Sequence, residues 1–426
     1  MTRNHLLGTT MLVGAAMATL PAQAQDFQLT DRTFLEFEGY AAPSTSFGGD
    51  DSGFFFLGET QGRVTHLLGN GYALGAQARV EAKSAENDFS AEIEVDQGWA
   101  FFSTPVGDVT TGITGGATTV FGFGAPSAIG RGYGVNSPEF IHAQNPFLAP
   151  FAATSSPTFF DTNFRVGVNT PITNDWIIAA SWAPRIDATG TQTHDLEDVT
   201  EIAGLYRFNV GNVDIGLSAG VMQANTNNGN TFPGVAFDDQ IRAFNFGTEI
   251  KYGGFTAGGS FLTYDNLEGF DDVDFESFTA GVTYRTDPWI FGVSYGRSMT
   301  DLPESGTSFN VLLGDATTDI LEAAATYAWL PGVDIGAAVV HTNRQDNRFG
   351  TGLNNSSTYG VVQTTFKFGE SDFLAAPAQA IFGPEGKYRG HFELEYRGSN
   401  DRQTGTGNLF APLLQDDDSL IYTDLR

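Results

Sequence analysis

The stretch "GYALGAQARVEAK", Gly71 to Lys83, decides the fold class. Alternate positions are apolar or small: Tyr72, Leu74, Ala76, Ala78, Val80 and Ala82. Between them lie Ala73, Gly75, Gln77, Arg79, Glu81 and Lys83. Successive side chains of a β-strand point to opposite faces, so this strand has one greasy face and one face that carries charge.

The same alternation recurs along the chain. It is clear in Trp176/Ile178/Ala180/Trp182, Val213/Ile215/Leu217/Ala219/Val221, Trp289/Phe291/Val293/Tyr295 and Val333/Ile335/Ala337/Val339. Sixteen such segments are expected, near 32–42, 54–67, 71–84, 90–103, 108–116, 159–169, 176–184 and 199–209, then 212–224, 240–252, 254–265, 275–285, 288–299, 318–329, 332–343 and 356–368. Short links rich in Gly, Pro, Asn and Asp join them at one end, such as "LGNG" at 68–71, "NVGN" at 209–212 and "RTDP" at 285–288. The links at the other end are mostly longer and polar, including 185–198, 225–239 and 300–317.

An even strand number with short turns on one rim and long loops on the other is the layout of an outer-membrane barrel. In lipid every backbone N–H and C=O needs an internal partner, so a sheet spans a bilayer only when closed. The outer face of such a barrel must be apolar while the inner face can be wet. Aromatic residues near strand ends, among them Tyr72, Trp99, Trp176, Trp182, Tyr252, Tyr284, Tyr295, Tyr327 and Trp329, fit an interfacial girdle. Gln97, His66 and Arg242 break the apolar register and are expected near the rims.

Bulk composition agrees with export. Arg3 followed by the apolar run Leu6 to Leu20 and by Ala22-Gln23-Ala24 reads as a signal peptide over residues 1–24. No other segment approaches the ~18 apolar residues that a spanning helix needs. The chain has no cysteine, so disulfides and thiolate metal sites are excluded. A net charge of −29 speaks against nucleic acid as a partner, because phosphate binding needs a basic footprint.

Strand layout and loop position together resemble the general porins of Gram-negative outer membranes, of the alphaproteobacterial kind. The resemblance spans about residues 26–368 and implies an all-β, sixteen-stranded antiparallel transmembrane barrel over 25–368. The longest connection, 117–158, follows the fifth expected strand, where the family carries its third external loop. The resemblance implies that this loop folds into the lumen and narrows it. Within it, Pro138-Glu139-Phe140 is similar to a "PEF" run of the family's constriction loops, which places Glu139 at the narrowing, with Arg131 nearby.

Family members oppose the acidic loop with basic residues on early strands. Arg63, Arg79 and Lys83 occupy the inward register and match those positions, and Arg165 joins them. These cations either set up a transverse field with Glu139 or pair with Glu59 and Glu81 across the hairpin. The function implied is passive diffusion of small hydrophilic solutes and ions, with lipopolysaccharide and lipid around the barrel and a homotrimer as the assembly. A substrate-specific channel, a barrel enzyme and a secreted soluble all-β binding or adhesion protein are the alternatives. The last would need a large shared core for its many apolar faces.

The chain departs from the family in two places. Its constriction loop holds a single acid, Glu139, and the sequence continues past Phe368 for residues 369–426, ending "SLIYTDLR". That extension reads as a periplasmic tail or as two further strands making eighteen. Residues Asp271, Asp272 and Asp274 form an acidic loop that can attract Ca²⁺, though without EF-hand spacing; no other cofactor is expected. "GFGAPSAIGRGYG" precedes no helical periodicity and so is no phosphate loop. The six His residues show no metal-ligand spacing, and no enzymatic activity is expected.

Overall fold

In a computed structural model, the structure describes residues 27–48, 53–84, 91–129, 135, 157, 163–170, 176–186, 196–226, 240–266, 274–301, 316–330, 332–346 and 353–368. A four-residue strand β1 (Phe27–Thr30) is followed by β2 (Thr33–Phe47), β3 (Gly53–Gly69), β4 (Tyr72–Ser84), β5 (Ala91–Thr104) and β6 (Gly107–Thr114). A single helical turn, α1 (Ala117–Val120), precedes β7 (Asn163–Asn169), β8 (Trp176–Ile186), β9 (Leu196–Val210), β10 (Val213–Thr226) and β11 (Gln240–Tyr252). The series ends with β12 (Phe255–Asp265), β13 (Asp274–Thr286), β14 (Trp289–Asp301), β15 (Ala316–Leu330), β16 (Val333–Asp346) and β17 (Leu353–Phe368).

From β2 to β17 each strand pairs antiparallel with the next, and β17 pairs back onto β2 from Gly360↔Phe47 to Phe368↔Gly39. Sixteen strands thus close a barrel. Strand β1 turns back through Asp31-Arg32 and pairs with β2 near its start, Phe27↔Leu35 and Thr30↔Thr33. It covers the part of the β2 edge that β17 does not reach, which removes an open row of backbone donors and acceptors. Each expected strand has its counterpart among these sixteen; β1 was not expected. Residues 369–426 and the expected leader, 1–24, lie outside the described residues.

The opening stretch behaves as its alternation requires. Along β4, Tyr72, Leu74, Ala76, Ala78 and Val80 are exposed on the outer face, while Ala73, Gln77 and Arg79 are buried inside. The link to β3 is tight because Asn70 and Gly71 both take positive φ, 53° and 90°, as hairpin turns require. On the short-turn rim, aromatic pairs face outward: Phe255–Tyr284 at 4.4 Å between ring centroids and Trp289–Tyr327 at 4.7 Å. That is the girdle the sequence predicts.

Trp99 departs from it. The β4–β5 register shifts between Arg79 and Val80, leaving Ile93 and Val95 outside but turning Gln97, Trp99 and Phe101 inward. A β-bulge of this kind moves every later side chain to the other face. Gln97 is therefore an interior residue rather than a rim residue. His66 and Arg242 remain on the outer face near opposite strand ends, hydrogen-bonded to Thr33 and Gln240 respectively.

Candidate functional site

The interior is built by the inward half of each strand. Ser260, Ser277, Thr279, Ser294, Ser298, Gln363 and Thr365 line it with neutral polar groups. Charges of both signs join them: Glu36, Glu59, Arg63, Arg79, Arg165, Glu201, Glu249 and Glu322, all buried. The inner face is not uniformly polar. Toward the long-loop end of β8–β13 it carries a buried apolar patch that includes Met222, Ile241, Leu262 and Phe275.

The chain leaving β6 turns into the barrel and follows its wall. Backbone N–H groups of Ala117, Thr118, Phe123 and Ala125 donate to Ser181 Oγ at 3.0 Å, Glu201 Oε2 at 2.9 Å, Ser218 Oγ at 3.0 Å and Thr279 Oγ1 at 3.2 Å. The wall donates in return. Asn245 Nδ2 reaches Thr118 O at 3.2 Å and Thr326 Oγ1 reaches Ala128 O at 2.5 Å. These partners lie on strands from β8 to β15, about half of the barrel's circumference.

Inward glycines make the close approach possible. A Cβ on Gly258 or Gly281 would lie 2.9 Å from Gly124 O or Pro126 O, and one on Gly292 would lie 2.8 Å from Ala128 Cβ. Such separations are shorter than packed atoms tolerate, so side chains on this track would push the loop off the wall. Phe121 and Phe123 fill the space between the loop and Trp99, Phe101, Ile177 and Leu205.

Three of the basic residues singled out from sequence, Arg63, Arg79 and Arg165, are paired. Arg63 stands 3.8 Å from Glu36, with its guanidinium 4.8 Å over the Phe101 ring. Arg79 stands 3.6 Å from Glu59 and hydrogen-bonds Asp96. Arg165 is bound to Glu201 at 2.5 Å and is fully buried, as is its partner. Arg207 pairs with Glu249 at 3.1 Å and stacks 5.2 Å over Phe123. Arg63 and Arg79 share one wall, on β3 and β4. Arg165 lies farther round, beneath the first turn of the loop.

Lys83 lies on β4 in the inward register, and its side chain is outside the described residues, as are Glu139 and Arg131. The acidic-loop residues Asp271 and Asp272 are outside them too, whereas Asp274 opens β13 in an exposed position. Among the described residues no group of three or more His, Asp or Glu side chains is placed to hold a metal ion. Sequence reasoning missed Asp96, Glu201, Arg207 and Glu322. Their inward register was readable in the alternation, but their partners follow only from how the strands and the loop pack together.

A family model described as Gram-negative porin matches residues 8–347. No curated protein matches the chain. Several solved structures are similar in fold. The outer membrane channel DcaP of Acinetobacter baumannii superposes with a TM-score of 0.57 at 10% identity, over 80% of this chain and 99% of that one. OmpF of Salmonella typhi, in a complex with daunomycin, gives 0.55 at 12% identity, over 81% and 100%. OmpT of Vibrio cholerae, described as a trimer form, gives 0.53 at 12% identity, over 79% and 100%.

Proposed function

The chain belongs to the Gram-negative porin family, and on that premise we propose how its barrel works: as a water-filled diffusion channel for small hydrophilic solutes and ions, narrowed by the segment that follows β6. It is an outer-membrane protein. One observation carries the reading: sixteen strands close on themselves with apolar side chains outward and charged pairs inward. Large outward residues such as Ile178, Val293 and Val339, each at least half exposed, fit a hydrocarbon surround and not a soluble sandwich.

Passage is governed by width and by local fields. The inner wall presents opposite charges side by side, Arg63 with Glu36 and Arg79 with Glu59 and Asp96. Paired charges orient dipolar solutes while favouring neither ion sign strongly. Glu139 and Arg131 on the loop, with Lys83, complete the proposed constriction set. The proposal assigns transport and no catalytic step.

A homotrimer is part of the proposal. The outward face of β2–β4 is apolar, with the Phe37 ring laid over Gly62 and the Phe56 ring over Gly58 beside Ala76 and Ala78, a surface against which the wall of another copy can pack. Loop acids, Asp271, Asp272 and Asp274 among them, are proposed to recruit Ca²⁺ that bridges lipopolysaccharide; a chelator should then lower the melting temperature of the lipid-bound form. The diffusion reading itself is tested by vesicle swelling with sugars of increasing size. Uptake should fall with solute mass without saturating. A saturable uptake of one sugar would favour a substrate-specific channel instead.

A further inference from the structure

We propose that Arg165 and Glu201 are positioning residues: they hold the loop segment 116–129 on the inner wall and thereby set the free width of the channel. The inference rests on the diffusion-channel reading. It changes the role of Arg165, which the sequence placed in the field that acts on solutes.

The geometry of the pair carries the argument. The Glu201 carboxylate is fully buried and gathers donors from three places: Thr118 N at 2.9 Å, Thr118 Oγ1, and Arg165 Nη1 at 2.5 Å. The same guanidinium donates through Nε to Thr114 O at 3.2 Å, the last residue of β6 before the chain turns inward. One ion pair thus ties together the end of β6, strands β7 and β9, and the first turn of the loop. Gly116 belongs to this arrangement, since a Cβ there would overlap the Glu201 carboxylate.

Among the other described contacts of the segment, most are neutral and none contains an ion pair. Ser181, Ser218, Asn245 and Thr279 each give one neutral hydrogen bond. At the far end, Glu322 on β15 accepts from Ser127 Oγ at 2.8 Å and from Ser294 Oγ at 3.4 Å. Charge-assisted bonds are roughly twice as strong as neutral ones, and a buried charge that loses its partner is strongly unfavourable. Glu322 holds the far end through one loop hydroxyl, whereas Glu201 combines a fully buried ion pair with two donors from Thr118, so the Glu201 end is where the path of the loop is decided. Without it the turn 116–120 moves off the wall and into the passage.

Thr118 and Gly220 supply a substitute tether. A Cβ built on Gly220 lies 3.3 Å from Thr118 Cβ, close to the separation in a disulfide, once the Asn245 amide turns aside. The chain has no cysteine of its own, so a T118C/G220C pair can bond only with itself. Single-channel currents are recorded in planar bilayers for the wild type, for T118C/G220C, and for T118C/G220C with Glu201→Ala, each oxidised and reduced.

The reduced triple variant is expected to lose about twofold or more of the mean conductance and to show a noisy open level, because the turn now obstructs the lumen. Oxidation should restore the steady wild-type level. A steady wild-type conductance in the reduced triple variant, or identical behaviour in both redox states, overturns the inference. If that variant does not insert, Glu201→Gln in the same background is judged by the same two criteria. A wild type that inserts and conducts nothing defeats the diffusion reading first, so the two failures are distinguishable.

Discussion

Substituting Val293 by Arg places a charge at mid-depth on the outer wall. Val293 is half exposed on the outward face of β14, between Phe291 and Tyr295. The outward series of this strand runs Trp289, Phe291, Val293, Tyr295 and then Arg297, which is 45% exposed and stands 3.8 Å from Asp319. From Trp289 to Arg297 the strand covers about 27 Å at ~3.4 Å per residue, or roughly 20 Å along the membrane normal after tilt. Val293 is halfway, about 10 Å from either polar edge by the same measure. An Arg at that depth costs about 2–4 kcal/mol, equivalent to roughly 30- to 900-fold in the folding equilibrium.

Val106 provides the comparison. It sits in the short turn between β5 and β6 and is 82% exposed, so Val106→Arg should cost about 0–1 kcal/mol. The assay is reversible folding from denaturant into lipid vesicles, followed by gel mobility before and after heating. The reasoning is refuted if Val293→Arg costs less than about 0.5 kcal/mol, or if the two substitutions cost the same.

Three further outcomes are expected. Glu139→Gln should move the reversal potential toward anions while leaving conductance within about twofold; an unmoved potential removes Glu139 from the constriction. Arg79→Gln removes the cation that Glu59 and Asp96 share and should move the reversal potential toward cations, with a stability loss of about 3–5 kcal/mol. Gly247→Leu would drive a side chain into Phe123 and Ser218 Oγ, the latter only 2.8 Å from the position of its Cβ, and should change conductance while gel mobility stays that of a folded barrel.

The wall was readable because its determinants are local. Alternation over Tyr72–Val80 needs only the period of a strand, and the Gly-Asn-Gly turn before it needs only backbone conformation. The interior was less so. Trp99 and Gln97 were assigned to the wrong environment because a one-residue bulge, which shows in the alternation only as Gln97 breaking the apolar register, exchanges the two faces of β5. The path of the loop depends on pairs such as Thr118 with Glu201 and Ser127 with Glu322, which are 83 and 195 residues apart. Inward glycines at 258, 281 and 292 look like ordinary strand glycines until the loop backbone is laid against them. Arg63, Arg79 and Arg165 were correctly placed on the inner face, but their partners Glu36, Asp96 and Glu201 had to come from the pairing of strands.

The central claim is that a closed wall, oily without and polar within, encloses a passage for water and small ions. Single-channel recording of the purified protein in a planar bilayer tests it most directly. Stepwise insertion with an ohmic conductance that rises with salt concentration is the expected result. Stable insertion with no current at any salt concentration would contradict it.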